Sequence, residues 1–387
     1  MPKKLMHTRL VMLIVAAALS VGLIACSGSN DTDSGGDDQD DATGADTSDD
    51  MDTSDDEADV SAEPAAADEE DAAGDDTGEL EPFSLGLSGI NASHLWTVIA
   101  EDNEIFPEYG VDLEFVVFQG GASQVIPSVL SGSVDVAIGN GQQNMLAQLQ
   151  EPDLVMIASP MVGSPLSVVA RDGIESLDEL AGQTISVNAV GGSEDYFSGT
   201  KYLGSQGIDI DEIDFVTGGA TNARVSALLA GSVDAVFASP PDVQRIEEAG
   251  GNVLGEVSEA PEVASTLAYG MIGSSENFEE NREVTVRFLQ GYQATQDFMR
   301  EPENRESIVE SIIERLNVEE QYAEVTYDFW INTVGERLDP TGAIHAENIE
   351  QALENAQADG VEELMDLEPA DLDQFYDNSY VEEAASR

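Results

Sequence analysis

The sequence predicts an α/β protein built as two similar lobes of βαβ units, with helices after the second lobe. Three observations carry this expectation. From Pro82 onward, strand-like and helix-like stretches alternate at the spacing of parallel βαβ packing. The stretch "PSVLSGSVDVAIGNG" (127–141) returns as "SALLAGSVDAVFASP" (226–240), so that Gly120 and Gly219, Gly132 and Gly231, and Asp135 and Asp234 each stand 99 positions apart. Two extended segments, "PLSVVARD" (165–172) and "STLAYGMIGS" (265–274), lie where the chain would cross from one lobe to the other and back.

Each element follows from local pattern. "FSLGLSG" (83–89), "VDLEFVVFQ" (111–119), "VDVAIG" (134–139) and "DLVMIASP" (153–160) read as the strands of the first lobe. "SHLWTVIAED" (93–102) reads as a helix with Ser93 as its cap, and "GGASQVIPSVLSG" (120–132) as a glycine turn and a short helix. The second lobe opens on the strand and turn "QTISVNAVGGS" (183–193) and the helix "EDYFSGTKYLGSQG" (194–207). Then 208–240 repeats 111–141 element for element. In "EVTVRFLQGYQATQDFM" (283–299), Val284, Phe288, Tyr292, Thr295 and Met299 share one helical face, which marks a scaffold helix packed on the first lobe; segments 305–316, 345–360 and the C-terminus follow it.

In open α/β sheets, ligands sit beyond the carboxyl ends of strands, where loops and helix starts present unpaired N–H groups. The loops in those places supply the candidate binding residues: Ser88, Asn91, Ser93 and His94; Gln119, Gly120 and Gly121; Asn140, Gly141 and Gln142. The second lobe adds Gly191, Gly192, Ser193 and Tyr196, then Thr221, Asn222 and Arg224, and Ser239. Their chemistry is mostly that of neutral donors. Tyr196 and Phe197 could enclose an apolar ligand body, Glu194 and Asp195 favour an amine over an anion, and Arg224, near a helix start, is a better positive candidate than Lys201, two turns into its helix. Trp96 is expected in the core.

The chain has 387 residues with 78 acidic against 14 basic side chains. Nucleic acid is excluded as a partner, since phosphate binding draws on clustered Lys and Arg. Twenty-three of the acidic residues fall in Asp31–Glu81, a stretch without Lys or Arg. The chain outside it and beyond residue 25 still holds 55 acidic against 11 basic residues. An acidic folded surface with so little lysine points to a high-salt setting, where counterions screen the self-repulsion.

The amino terminus reads as an address. "MPKK" is followed by the apolar run "LVMLIVAAALSVGLIA", short for a membrane span, and then by Cys26, the chain's single cysteine. "LIAC" (23–26) resembles the lipobox of bacterial and archaeal lipoproteins, which implies cleavage after residue 25, lipidation of Cys26 and an extracytoplasmic location. Residues 27–81 hold almost nothing large and apolar and are expected to form a disordered acidic tether. The expected organisation is therefore 1–25 signal peptide, 26–81 lipidated cysteine and tether, 82–168 with 268–387 the first lobe, and 169–267 the second.

Taken together, "GINASHLWTVIAEDNEIFPEYGVDLEFVVFQGG", the two "GSVD" segments, "SLDELAGQTISVNAVGGS" and "DLDQFYDNSYVEEA" resemble the extracytoplasmic solute-binding proteins of ABC importers, in the branch for sulfonates, taurine, nitrate and the pyrimidine precursor of thiamine. The likeness spans residues 82–387. It implies a periplasmic-binding-protein-like fold whose inter-lobe cleft closes on one small solute and presents it to a permease and its ATPase. The alternative is a lipid-anchored sensor or adhesion module of the same fold.

An enzyme is not expected. Related fungal pyrimidine-precursor synthases depend on cysteine-rich iron binding, for which this chain lacks the ligands; no cofactor is foreseen. His7, His94 and His345 are too scattered for a metal cluster, and no Ser-His-Asp order, P-loop or dinucleotide fingerprint is present.

Overall fold

The computed structural model describes residues 80–387 apart from Asn91, Gln119 and Gly120. The signal segment, Cys26 and the tether lie outside the described residues. Among the described residues, ten strands form two five-stranded sheets. The first contains β1 (Glu81–Leu87), β2 (Val111–Val117), β3 (Val136–Asn140) and β4 (Leu154–Val162); the second contains β5 (Ser167–Ala170), β6 (Thr184–Val187), β7 (Asp214–Thr217), β8 (Ala235–Ala238) and β9 (Asn252–Glu256). The last strand, β10 (Leu267–Ser274), returns to the first sheet.

The sheets have one topology, β2-β1-β3-β10-β4 and β7-β6-β8-β5-β9, and in both the fourth strand alone runs antiparallel to its neighbours. This corrects the reading of 165–172 and 265–274 as mere connections. Each crossing segment becomes a central strand of the lobe it enters: β5 pairs with β8 and β9, and β10 pairs with β3 and β4. All four residues of β5 are buried, and a buried strand has to place its N–H and C=O groups in a ladder rather than leave them unpaired.

The duplicated "GSVD" has a structural cause. Gly132 and Gly231 end their helices at φ +66° and +70°, a conformation that glycine adopts without strain. The aspartate three positions later accepts a backbone N–H from the neighbouring parallel strand: Asp135 Oδ2 from Ser84 N, in the middle of β1, at 2.8 Å, and Asp234 Oδ2 from Thr184 N, at the start of β6, at 2.9 Å. These carboxylates tie strand to strand where β3 and β8 begin, away from the loops at the carboxyl ends.

The helix Arg282–Arg300 buries Val284, Phe288, Tyr292, Thr295 and Met299, the face read from its spacing. Phe288 stacks on Phe83 (4.7 Å) and Phe106 (5.6 Å), while Trp96 meets Tyr292 edge-on at 5.0 Å in the core of the first lobe. Each such side chain removed from water contributes about 2–3 kcal/mol. The first helix is Leu95–Asp102 after a 3-10 turn over Ala92–His94, so the capping position belongs to His94 and not to Ser93. Helices Arg305–Leu316, Ala346–Ala358 and Ser379–Ser386 follow, and Glu320–Phe329 continues through a π-helical turn at Trp330–Val334. No helix among the described residues is long and apolar enough to cross a membrane.

Candidate functional site

Between the sheets lies a cavity of about 540 Å³, lined by residues from both lobes. The carboxyl ends of the parallel strands meet there: Ser88 after β1, Asn140 at the end of β3, Asn188 and Ala189 after β6, and Ser239 after β8. Three helices begin at its wall, Gly141–Gln150, Glu194–Ser205 and Thr221–Leu229, because each βα turn delivers its helix start to that edge. Ile126, Leu130, Ile138 and Leu146 from one side and Leu166, Val190 and Phe237 from the other make the wall substantially apolar. Tyr269, from β10, closes the floor.

Among the described residues, two hydrogen bonds cross the cleft. Asn188 Oδ1 accepts the backbone N–H of Ala122 at 3.0 Å, and Gln143 Nε2 donates to the carbonyl of Gly191 at 2.9 Å. At the side of the lobes, Lys201 donates to Asp359 and to the carbonyl of Asn355. The cavity is thus gripped by both halves of the molecule.

The charges inside are unequal. Arg224, 5% exposed, pairs with Asp195 at 2.9 Å and donates further to the carbonyls of Gly219 and Phe237 and to Thr221 Oγ1, each at 3.1 Å. Asp195 also accepts the backbone N–H of Asn188 at 2.9 Å. This pair braces the second lobe from within and consumes the cation of the site. Glu194 beside it is 4% exposed. Burial pushes its carboxyl up to about 7, the Ser198 and Ser164 hydroxyls pull it back in part, and Asp195 and Arg224 act in opposite directions. Tyr269 is raised well above the usual phenol range by burial first and by Glu194 and Asp195 next.

His94 sits behind Tyr269, with ring centroids 5.4 Å apart. It is 1% exposed, both ring nitrogens lack partners, and burial holds its imidazole down to about 4, so it is neutral at pH 7.

Of the candidates named from sequence, Ser88, Ser93, Asn140, Gly192, Ser193, Thr221, Arg224 and Ser239 line the cavity, and Gly191 accepts the cross-cleft bond from Gln143. Others lie apart from it. Gly141 starts its helix against β10, where a Cβ would fall 2.3 Å from the Leu267 carbonyl oxygen. Gln142 turns to a second, water-sized cavity of about 30 Å³. Tyr196 packs edge-on against Phe215 and Phe197, and Asn222 is exposed with its carbonyl accepting Ser226 Oγ at 2.6 Å. Gly121 opens a 3-10 turn, Gly121–Gln124. Asn91, Gln119 and Gly120 lie outside the described residues. The sequence reading passed over Asn144, Asn188 and Tyr269. Asn188 stands in the loop after β6, whereas Tyr269 lies in the crossing segment 265–274, whose strand pairing is set only by the fold. Among the described residues no three His, Cys, Asp or Glu side chains come together as a metal site would require.

Two lobes of identical topology, joined by two crossings and enclosing a cavity at the carboxyl ends of their strands, define the periplasmic-binding-protein fold. The chain belongs to the NMT1/THI5-like family, whose sequence profile matches residues 91–305. Solved structures similar to it include the ligand-binding component of an ABC-type import system from Staphylococcus aureus with zinc bound (14% identity, TM-score 0.64, covering 79% of this chain and 99% of that one). The alkanesulfonate-binding protein of Xanthomonas axonopodis pv. citri bound to MOPS is also similar (14% identity, TM-score 0.61, 75% and 96%). The fold extends to a desulfurization enzyme (14% identity, TM-score 0.54, 79% and 99%). No curated protein matches the chain in sequence.

Proposed function

We propose that this protein is the solute-capturing component of an ABC importer, which binds one small molecule between its lobes and hands it to a membrane permease. The observation that carries the reading is the cavity itself. At about 540 Å³ it has the volume of a small-molecule site, its polar groups come from both lobes, and hydrogen bonds cross it at Asn188 and Gln143. Binding that draws on both lobes favours the closed form, and a closed form is what a permease can distinguish. The import-system and sulfonate-binding neighbours support the same role. The cavity's buried charged pair, Asp195 and Arg224, is engaged in bracing its lobe, which supports a binding role over a catalytic one.

Lipidation of Cys26 would hold the lobes at the outer face of the membrane on an acidic tether, and the excess of acidic residues suits a high-salt surface. Cys26→Ser should release the protein or leave its precursor unprocessed.

A thermal-shift screen in molar salt tests the central claim. A solute at 100 times its dissociation constant adds about 2.7 kcal/mol of stability. Stabilisation by a small molecule is expected; no response to any metabolite mixture would sink the receptor reading.

A further inference from the structure

One acid of the cavity wall has no ion-pair partner among the described residues. Glu194 opens the helix Glu194–Ser205, lines the cavity and is 4% exposed, yet its Oε1 has no hydrogen-bond partner. A buried carboxyl oxygen left this way is costly unless something supplies a proton donor. The groups that face it are Asp195 and Arg224 from its own lobe, the hydroxyls of Ser164 and Ser198, and Tyr269 from β10; Lys201 lines the small second cavity together with Glu194, and its ammonium is bound to Asp359.

None of these supplies a free cation. Arg224 is already paired with Asp195 and donates to two carbonyls and Thr221. The remaining charged residues of the wall, Glu151 and Glu363, are acidic as well, so among the described residues four carboxyl groups stand against one guanidinium. A sulfonate or nitrate would enter against that field, whereas a cation would complete it. The three helix starts favour negative charge, but Glu194 and Asp195 in the first turn already answer one of them.

Resting on the receptor reading above, we propose that the solute carries a protonated amine whose N–H groups are received by Glu194. The bound ammonium replaces the missing donor, and the apolar wall made by Leu166, Val190 and Phe237 holds the carbon skeleton. Because ionised Glu194 is the form that receives it, binding weakens as the pH falls below about 7.

Isothermal titration of the full chain in molar KCl decides the matter, with butylamine, ethanolamine and putrescine as amine probes and nitrate and ethanesulfonate as anion probes. The expected result is saturable binding of at least one amine, weakened tenfold or more in Glu194→Gln, partly retained in Glu194→Asp, and reduced at pH 6 relative to pH 8. Amine affinity indifferent to both variants, binding of the anions in place of the amines, or silence from every amine would overturn the assignment. If the amines fail while another metabolite stabilises the protein, the receptor reading stands and this inference alone falls. If nothing stabilises it, both fall.

Discussion

Arg224 Nη1 lies 2.9 Å from Asp195 Oδ2, with both side chains sealed from solvent at the wall of the cavity. The arginine that stood out in the sequence as a ligand-binding cation is thereby joined to the strand end at Asn188 through Asp195 and to β8 through the carbonyl of Phe237. Its position beside the site is real, and its charge is already neutralised.

Removing one partner leaves the other buried and unpaired. Arg224→Met is expected to lower stability by about 3–5 kcal/mol, read as a fall in the chemical-denaturation midpoint. Arg224→Lys should fall nearly as far, because an ammonium cannot reproduce the fork that meets Gly219, Phe237 and Thr221 together. A variant that kept full stability while losing only affinity would return Arg224 to the ligand.

Two buried groups make opposite demands on pH. His94, held at about 4 from 6.5, contributes stability that is present above pH 6.5 and lost as the pH falls toward 4. Glu194, raised from 4.5 to about 7, contributes stability that is present below pH 4.5 and lost as the pH rises through 7. Each effect is on the order of 3 kcal/mol, so the ligand-free protein should show a shallow profile between pH 4.5 and 7. His94→Leu should make stability rise on acidification across this window, and Glu194→Gln should make it fall. Melting curves at half-unit steps of pH read both slopes; parallel slopes in the two variants would refute the assignment.

The Gln143 to Gly191 hydrogen bond exists only while the lobes are together. Gln143→Ala should weaken solute binding by about fivefold, the equivalent of one hydrogen bond of about 1 kcal/mol, without changing the melting temperature of the ligand-free protein. Equal affinity by titration would show that the bond does not assist closure.

Glycines at the site separate into packing and access. A Cβ on Gly141 would fall 2.3 Å from a backbone oxygen, so Gly141→Ala should cost about 1–3 kcal/mol of stability. A Cβ on Gly192 meets nothing nearer than 3.7 Å, so Gly192→Ala should leave the melting temperature alone and act, if at all, on affinity.

Much of the architecture was legible because repetition and period are local properties. The spacing of Val284, Phe288, Tyr292, Thr295 and Met299 placed a buried face, and the two "GSVD" segments announced two lobes before any contact was known. The job of those aspartates was not legible, since it depends on a strand residue about 50 positions upstream, Ser84 or Thr184, lying alongside. Tyr269 was missed for a related reason. "STLAYGMIGS" has the composition of a strand wherever it lies, and only pairing with β3 and β4 puts its tyrosine under the cavity.

The sequence by itself determined the period of the helices and strands, the doubling of the lobe, the set of loops at the carboxyl ends and the acidic balance of the whole chain. Only the tertiary structure decided which charges are already matched. Arg224 is engaged and Glu194 is not, because charge is carried by a residue while neutralisation belongs to a distance, and that distance is made when helix starts from separate βα units converge.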